Sequence, residues 1–333
     1  MQDTHISLAH GTGGRYMREL IDEIFARHLA NPDLDVTADA VPIEIGGGEV
    51  LFTTDGFTVQ PLEFPGGNIG SLAVHGTVND LAVAGAIPKY LSLNAFIEEG
   101  LEIELLQRII RSLADAARQI GVKVVAGDTK VLRRGEGGGL YLATTGVGVR
   151  SGHRLALSNI QHGDAVLVSG PVGDHGIAVM LAREQFGLRG DIKSDAGSVL
   201  DLTTRALPYR GLRFMRDPTR GGLATVCTEI HRATGMGVVL QQTALPVRDP
   251  VQSVCDMLGY DPLYLACEGR VVAVIDPTQA SELLADWRAL EQGKDARLIG
   301  RIDAQAQHVV LETEIGGERI LEDLEDYPLP RIC

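Results

Sequence analysis

Glycine punctuates this chain. Its 40 glycines do not gather into a linker; they stand beside Asp, Thr and Asn where apolar runs begin or stop. A chain punctuated in this way must alternate short elements with tight connections. Gly46-Gly47-Gly48 precedes Val50-Leu51-Phe52-Thr53-Thr54, and Gly135 with Gly137-Gly138-Gly139 precedes residues 140–145. Both apolar runs read as strands entered from hairpin or loop connections. No sequence period repeats, so a solenoid or propeller is not indicated.

Periodicity supplies the elements between. Met17, Leu20, Ile21, Ile24 and Phe25 recur at helical spacing over 15–29. Residues 71–84 read as a helix with small residues on one face, and 101–121 as an amphipathic helix stopped by Gly121. Residues 122–126 read as a short buried strand leading into Gly127-Asp128-Thr129-Lys130. The pattern restarts near Arg150. Strands are expected at 164–169, 271–275, 296–302 and 308–312, and helices at 176–186, 196–206, 223–234 and 279–290. At 333 residues the chain exceeds one comfortable hydrophobic core. We therefore expect an α/β (α+β) protein with domains over 1–150 and 151–325 and a C-terminal tail over 326–333.

Charge narrows the function. A formal net charge of −14 argues against nucleic-acid binding, which relies on Lys and Arg neutralising phosphates. No apolar run approaches the roughly 20 residues of a membrane span, and the N-terminus lacks a basic-then-apolar export signal. Cys227, Cys255, Cys267 and Cys333 show no metal or disulfide spacing, so a reducing cytoplasm is expected and the first three are read as core residues.

Three acidic motifs carry the chemistry: Thr53-Thr54-Asp55-Gly56 after a strand, Asn79-Asp80 within a helix, and Gly127-Asp128-Thr129-Lys130 after another strand. Hard divalent cations take carboxylate oxygens, and Mg²⁺ commonly takes one or two together with substrate phosphates. Converging, the three aspartates would let an acidic protein hold a polyphosphate. Singly, each is equally a turn or cap residue. His10-Gly11-Thr12-Gly13-Gly14 precedes the first helix, where backbone N–H groups and a helix N-terminus suit an anion; a plain loop fits the same residues. No GxxxxGK[ST] occurs, which disfavours a P-loop enzyme. Gly170 to Gly176 lacks dinucleotide spacing and reads as a strand-to-helix turn, with His175 structural. Asp217-Pro218-Thr219-Arg220-Gly221-Gly222 suits a helix cap, with Arg220 a further candidate for a phosphate or carboxamide. Glu268, flanked by Cys267 and Gly269, is either poised for proton work or a salt-bridge partner.

The chain closes on Pro328-Leu329-Pro330-Arg331-Ile332-Cys333. Two prolines stiffen the approach, and Arg331 would lower the thiol pKa. An oxidisable end residue and a nucleophile on a semi-rigid arm are both compatible with the tail alone.

Together, the Gly11–Gly14 loop, Thr54-Asp55-Gly56, Gly76-Thr77-Val78-Asn79-Asp80-Leu81, Gly127-Asp128-Thr129-Lys130, the Asp217–Gly222 segment and the terminal Pro-Arg-Ile-Cys resemble the HypE family of hydrogenase maturation factors, the carbamoyl dehydratases. That family lies in the larger group of aminoimidazole ribonucleotide synthetase, thiamine-monophosphate kinase and selenophosphate synthetase. The resemblance covers essentially the whole chain. It implies two α/β domains, with N-terminal domains pairing across a homodimer. It implies ATP and Mg²⁺ as cofactors, with Asp55, Asp80 and Asp128 on the metal. Gly11, Gly13, Gly14, Asn79, Thr129 and Arg220 would lie on ATP. Cys333 would carry the carboxamide, loaded by HypF, dehydrated to a thiocyanate and passed to iron on HypC–HypD. Lys130 and Glu268 are the candidates for moving protons. A small-molecule kinase or synthetase of the same fold would need the aspartates without Cys333, and a nucleotide-binding scaffold would need no turnover.

Overall fold

Asn68 ends a short strand and opens the helix on which the site depends. Its side-chain oxygen accepts the N–H groups of Gly70 at 2.9 Å and Ser71 at 3.1 Å, while Asn68 N–H donates to Ser71 Oγ at 3.2 Å. This reciprocal cap satisfies donors that the first turn would leave orphaned. The computed structural model describes residues 14–20, 22, 37, 41–44, 49–183 and 190–324. In chain order its first half holds α1 (Arg15–Leu20), β1 (Val41–Glu44), β2 (Glu49–Phe57), β3 (Glu63–Phe64), β4 (Gly67–Asn68), α2 (Ile69–Val83), β5 (Ala86–Glu98), α3 (Ile103–Ile120), β6 (Lys123–Leu132) and β7 (Leu140–Arg150). The second half holds β8 (Ala165–Val168), α4 (Asp174–Ala182), α5 (Leu200–Ala206), β9 (Leu212–Arg216), α6 (Gly222–Thr234), β10 (Gly237–Gln241), α7 (Asp249–Leu258), β11 (Val272–Ile275), α8 (Pro277–Arg288), β12 (Arg297–Asp303), β13 (Val309–Glu312) and β14 (Glu318–Ile320).

The first five-stranded sheet has the order β1-β2-β7-β5-β6. β5 pairs parallel with β6 and antiparallel with β7. One face buries Phe57, Leu91, Leu140 and Leu142 against Leu72 of α2 and Ile109 and Leu113 of α3. The other face leaves Phe52, Tyr90, Phe96 and Val149 exposed. Along β2, Leu51, Thr53 and Phe57 point inward and Phe52, Thr54 and Gly56 outward, the period of two that places Asp55 on the inner side. Gly121 ends α3 at φ 79° and donates its N–H to the last turn.

The second sheet has seven strands in the order β14-β13-β10-β12-β8-β11-β9. Helices cover both faces. Val166, Val168, Val272 and Val274 pack with Leu223 and Ile230 of α6. Ala165, Leu167, Ala273 and Ile275 pack on the opposite face with Leu202 of α5 and Leu283 and Trp287 of α8. Two buried faces explain why these strands read as continuous apolar runs. Trp287 donates its indole N–H to the Leu202 carbonyl at 2.9 Å. Cys227, Cys255 and Cys267 are buried, unpaired thiols.

α2 joins the halves. Leu72 and Val74 belong to the core under the first sheet, whereas Ala82 and Val83 pack with Val199, Leu202 and Leu207 of the second half. A second junction ties the early chain to the late chain. Arg15 N–H donates to the Leu324 carbonyl at 2.7 Å, and Asp323 is shared between Arg18 and Arg232, the latter at 2.9 Å.

Several boundaries differ from the sequence reading. β2 runs through Asp55 and Gly56 to Phe57 instead of stopping at Thr54. β6 continues through Gly127-Asp128-Thr129-Lys130, and it is exposed, not buried. The reason is its place at the sheet edge, where only β5 supports it. The helix expected at 196–206 starts only at Leu200, because 191–199 is committed to irregular packing. β5, β9, β10 and α7 had no counterpart in the sequence reading. The continuation of the first helix over 23–29, and the tail 326–333, lie outside the described residues.

Candidate active site

A cleft of ≈ 340 Å³ opens where the two halves meet, lined by Asp55, Gly56, Phe57, Thr58, Gly76, Asp80, Asp217, Thr219, Arg220 and Glu268. β2 supplies Asp55 and α2 supplies Asp80. The two elements approach closely because residue 76 is glycine: a Cβ there would sit 2.8 Å from the Phe57 ring and 3.6 Å from Asp55 Oδ2. Thr53 Oγ1 donates to Asp80 Oδ2 at 3.0 Å and fixes that carboxylate against β2. Asp55 Oδ1 accepts the Gly56 N–H at 2.7 Å and lies 3.5 Å from the Arg220 guanidinium.

The acidic groups are poorly solvated. Burial pushes the Asp55 carboxyl up, and Arg220 and the Gly56 N–H oppose that. Burial raises Asp217 to about 6, with Arg216 opposing and Asp55 adding repulsion. Glu268, 4% exposed, is pushed well above the usual carboxylate range by burial and then by Asp217, Asp55 and Asp195. A cleft that strains so many carboxylates calls for a cation. Among the described residues no three acidic, His or Cys side chains form a ready-made metal cage. The donor set fits a cation held by one or two carboxylates and completed by ligand phosphates, the habit of Mg²⁺.

Asp55, Asp80, Arg220 and Glu268 are therefore brought together from both halves. Asn79 is placed differently from the sequence reading. Its amide is buried and bonded to protein, donating to the carbonyls of Gly197 at 3.0 Å and Glu268 at 3.2 Å and accepting from Val199 N–H at 2.9 Å. Lys130 is exposed on β6 and does not line the cleft. The backbones of Asp128 and Thr129 pair with Asn94 and Ala95, and β7 and β5 lie between β6 and β2; their side chains lie outside the described residues. Gly14 is buried against Leu324, where a Cβ would overlap the Leu324 carbonyl, and does not line the cleft. Gly11, Gly13 and Cys333 lie outside the described residues.

Asp217 is the cleft residue the sequence reading passed over as a helix cap. The helix begins only at Gly222, capped by Gly221 at φ 72° with no side-chain bond. Asp217 instead directly follows β9, the same strand-end signal that marked Asp55 in the sequence. His175 is structural, its Nδ1 2.8 Å from Ser194 Oγ and its ring edge-on to Phe64.

This architecture, two α/β halves with a carboxylate-lined cleft between them, is that of the AIR synthase related proteins. The N-terminal domain model of that family matches residues 37–150 and the C-terminal domain model residues 161–312. Within it, the chain belongs to the HypE carbamoyl dehydratase family. It is 44% identical over 336 residues to carbamoyl dehydratase HypE of Azotobacter vinelandii, covering 100% of this chain and 98% of that protein. A solved HypE–HypF complex superposes with a TM-score of 0.87 at 41% identity, covering 92% of this chain and 99% of that one. A solved HypE in complex with ATP gives 0.82 at 40% identity, covering 99% and 100%.

Proposed function

We propose that this chain uses ATP to dehydrate an S-carboxamide on Cys333 to an S-cyano group, the source of the cyanide ligands of iron in nickel–iron hydrogenase. The observation that carries the reading is the position of Glu268, a buried, high-pKa carboxyl facing Asp55, Asp80 and Arg220 across one cleft. Full-length likeness to a carbamoyl dehydratase favours it over a small-molecule kinase.

An amide oxygen is a poor leaving group until it is phosphorylated. In the first step the carboxamide oxygen attacks the γ-phosphorus of ATP and ADP departs. In the second, the C–O bond breaks, phosphate leaves, and the nitrogen loses both protons as C≡N forms. Mg²⁺ held by Asp55 and Asp80 would neutralise charge on the transferred phosphoryl group; Asp128 is the third ligand the family resemblance suggests. Arg220, paired with Asp55 in the protein alone, is placed to turn to phosphate or carboxamide oxygen. Glu268, as the carboxylate, accepts one proton from the nitrogen, for which its raised pKa suits it, and the departing phosphate takes the other. Lys130 is kept as the alternative proton carrier, and Thr129, Gly11, Gly13 and Gly14 as phosphate contacts, on resemblance alone.

The partners follow from the chemistry. HypF would load the thiol, as the solved HypE–HypF complex suggests, and HypC–HypD would receive the cyano group. Pairing of two chains through the exposed apolar face of the first sheet is supported by Tyr90 and Phe96, which are 48% and 36% exposed. No helix among the described residues is long and apolar enough to cross a membrane; we assign the reaction to the cytoplasm.

Intact-protein mass spectrometry tests the proposal. After incubation with HypF, carbamoyl phosphate and ATP, a carboxamide adduct should form and then lose one water. Cys333→Ala should show neither mass. An adduct on another cysteine, or conversion in a chain ending at Ile332, would overturn the reading.

A further inference from the structure

Glu268 is fixed by its main chain. Its N–H donates to Asp195 Oδ1 at 3.1 Å. Its carbonyl accepts from Asn79 Nδ2 at 3.2 Å and from the Gly197 N–H at 3.3 Å. Asn79 in turn grips the same loop twice more, through the Gly197 carbonyl and the Val199 N–H. The loop packs directly on residue 269, so closely that any Cβ there would overlap the Asp195 carbonyl oxygen. Asp195 is itself steadied: its Oδ2 lies 3.4 Å from Arg270 Nε, and that guanidinium donates to the Pro171 carbonyl at 2.9 Å and lies 3.5 Å from Asp174.

We infer that Asn79 and Asp195 are positioning residues for Glu268, an inference that rests on the reading of Glu268 as the proton acceptor. Asn79 directly precedes Asp80 on α2, so one helix turn both presents a cleft carboxylate and holds the Glu268 main chain opposite it. Proton transfer needs the carboxyl within hydrogen-bond reach of the nitrogen, and a displacement of about 1 Å can cost about 100-fold in rate. Asn79 bonds to backbone atoms only, so it sets position without altering the chemistry of the carboxyl. The link also spans the two halves of the chain, and so fixes the width of the cleft at the reacting end.

The test measures single-turnover conversion of the carboxamide to the cyano adduct alongside ATP affinity. Asn79→Ala and Asp195→Ala should each slow conversion at least about tenfold while ATP affinity stays within about twofold. Asp195→Asn keeps an oxygen to accept the Glu268 N–H and should recover most of the rate; a purely electrostatic role predicts no such recovery. Asn79→Asp keeps the Val199 bond and the side-chain size but loses the donors. It should be slow as well, and it carries the test should Asn79→Ala fail to fold. Wild-type rates in the Asn79 variants, ATP affinity falling in step with rate, or Asp195→Asn as slow as Asp195→Ala would each overturn the inference. Glu268→Gln separates the two levels. If it converts at the wild-type rate, the assignment of Glu268 falls; if it is slow while Asn79→Ala is normal, only the positioning role falls.

Discussion

At the scale of single residues, burial decides behaviour more than identity does. His175 shows this outside the cleft. It is fully buried and its pKa is lowered to about 4, against an ordinary 6.5 in the unfolded chain. The unfolded state therefore binds the extra proton between those values, and stability falls as pH drops from about 6.5 toward 4. Between pH 7 and 5 this one ring should contribute about 2 kcal/mol of the loss. Urea titrations at both pH values should show a smaller loss for His175→Gln than for the parent chain; equal losses would refute the assignment. The same principle explains which site residues were legible. Asp55, Asp80 and Arg220 stood out by motif, Glu268 only by its flanking residues and the family resemblance, and all four line the cleft. Asp217 did not, because Asp-Pro-Thr before a helix reads as a cap, and nothing local reveals that the helix begins five residues after it. Asn79 was legible as important, but its amide turns to a loop far along the chain, a contact that no local pattern encodes.

Among elements, legibility followed how each face is covered. β8 and β11 are buried on both faces and declare themselves as unbroken apolar runs. α2 and α3 declared themselves by helical periodicity, and Gly121 marked a true helix end. β6 misled, since Gly127-Asp128-Thr129 has the composition of a turn while β5 carries it on as strand. β5 itself mixes exposed Lys89 and Tyr90 with buried Leu91, an irregular alternation that follows the register shift between Pro88 and Tyr90. The exposed apolar face that β5 shares with β7 and β2 has a solution consequence. Tyr90→Glu places a charge on it and should shift the protein toward a monomer in sedimentation velocity without lowering its unfolding temperature. An unchanged oligomer would exclude this face as the pairing surface.

For the whole molecule, the site exists only when both halves are folded and joined, since β2 and α2 supply one wall and the Asp217–Arg220 and Glu268 segments the other. A ligand that binds this cleft must therefore stabilise the joined state. ATP with Mg²⁺ at about 100 times its Kd should add about 2.7 kcal/mol, read as a rise in unfolding temperature. EDTA should remove that rise, and Asp55→Asn should abolish most of it; a full rise in Asp55→Asn would take Asp55 off the metal. The meeting of Arg15 with Leu324, and of Arg18 and Arg232 with Asp323, has a practical corollary. An affinity handle inserted between Arg15 and Arg18 would break that junction. The β13–β14 turn, with Ile315 95% exposed, offers an attachment point away from that junction.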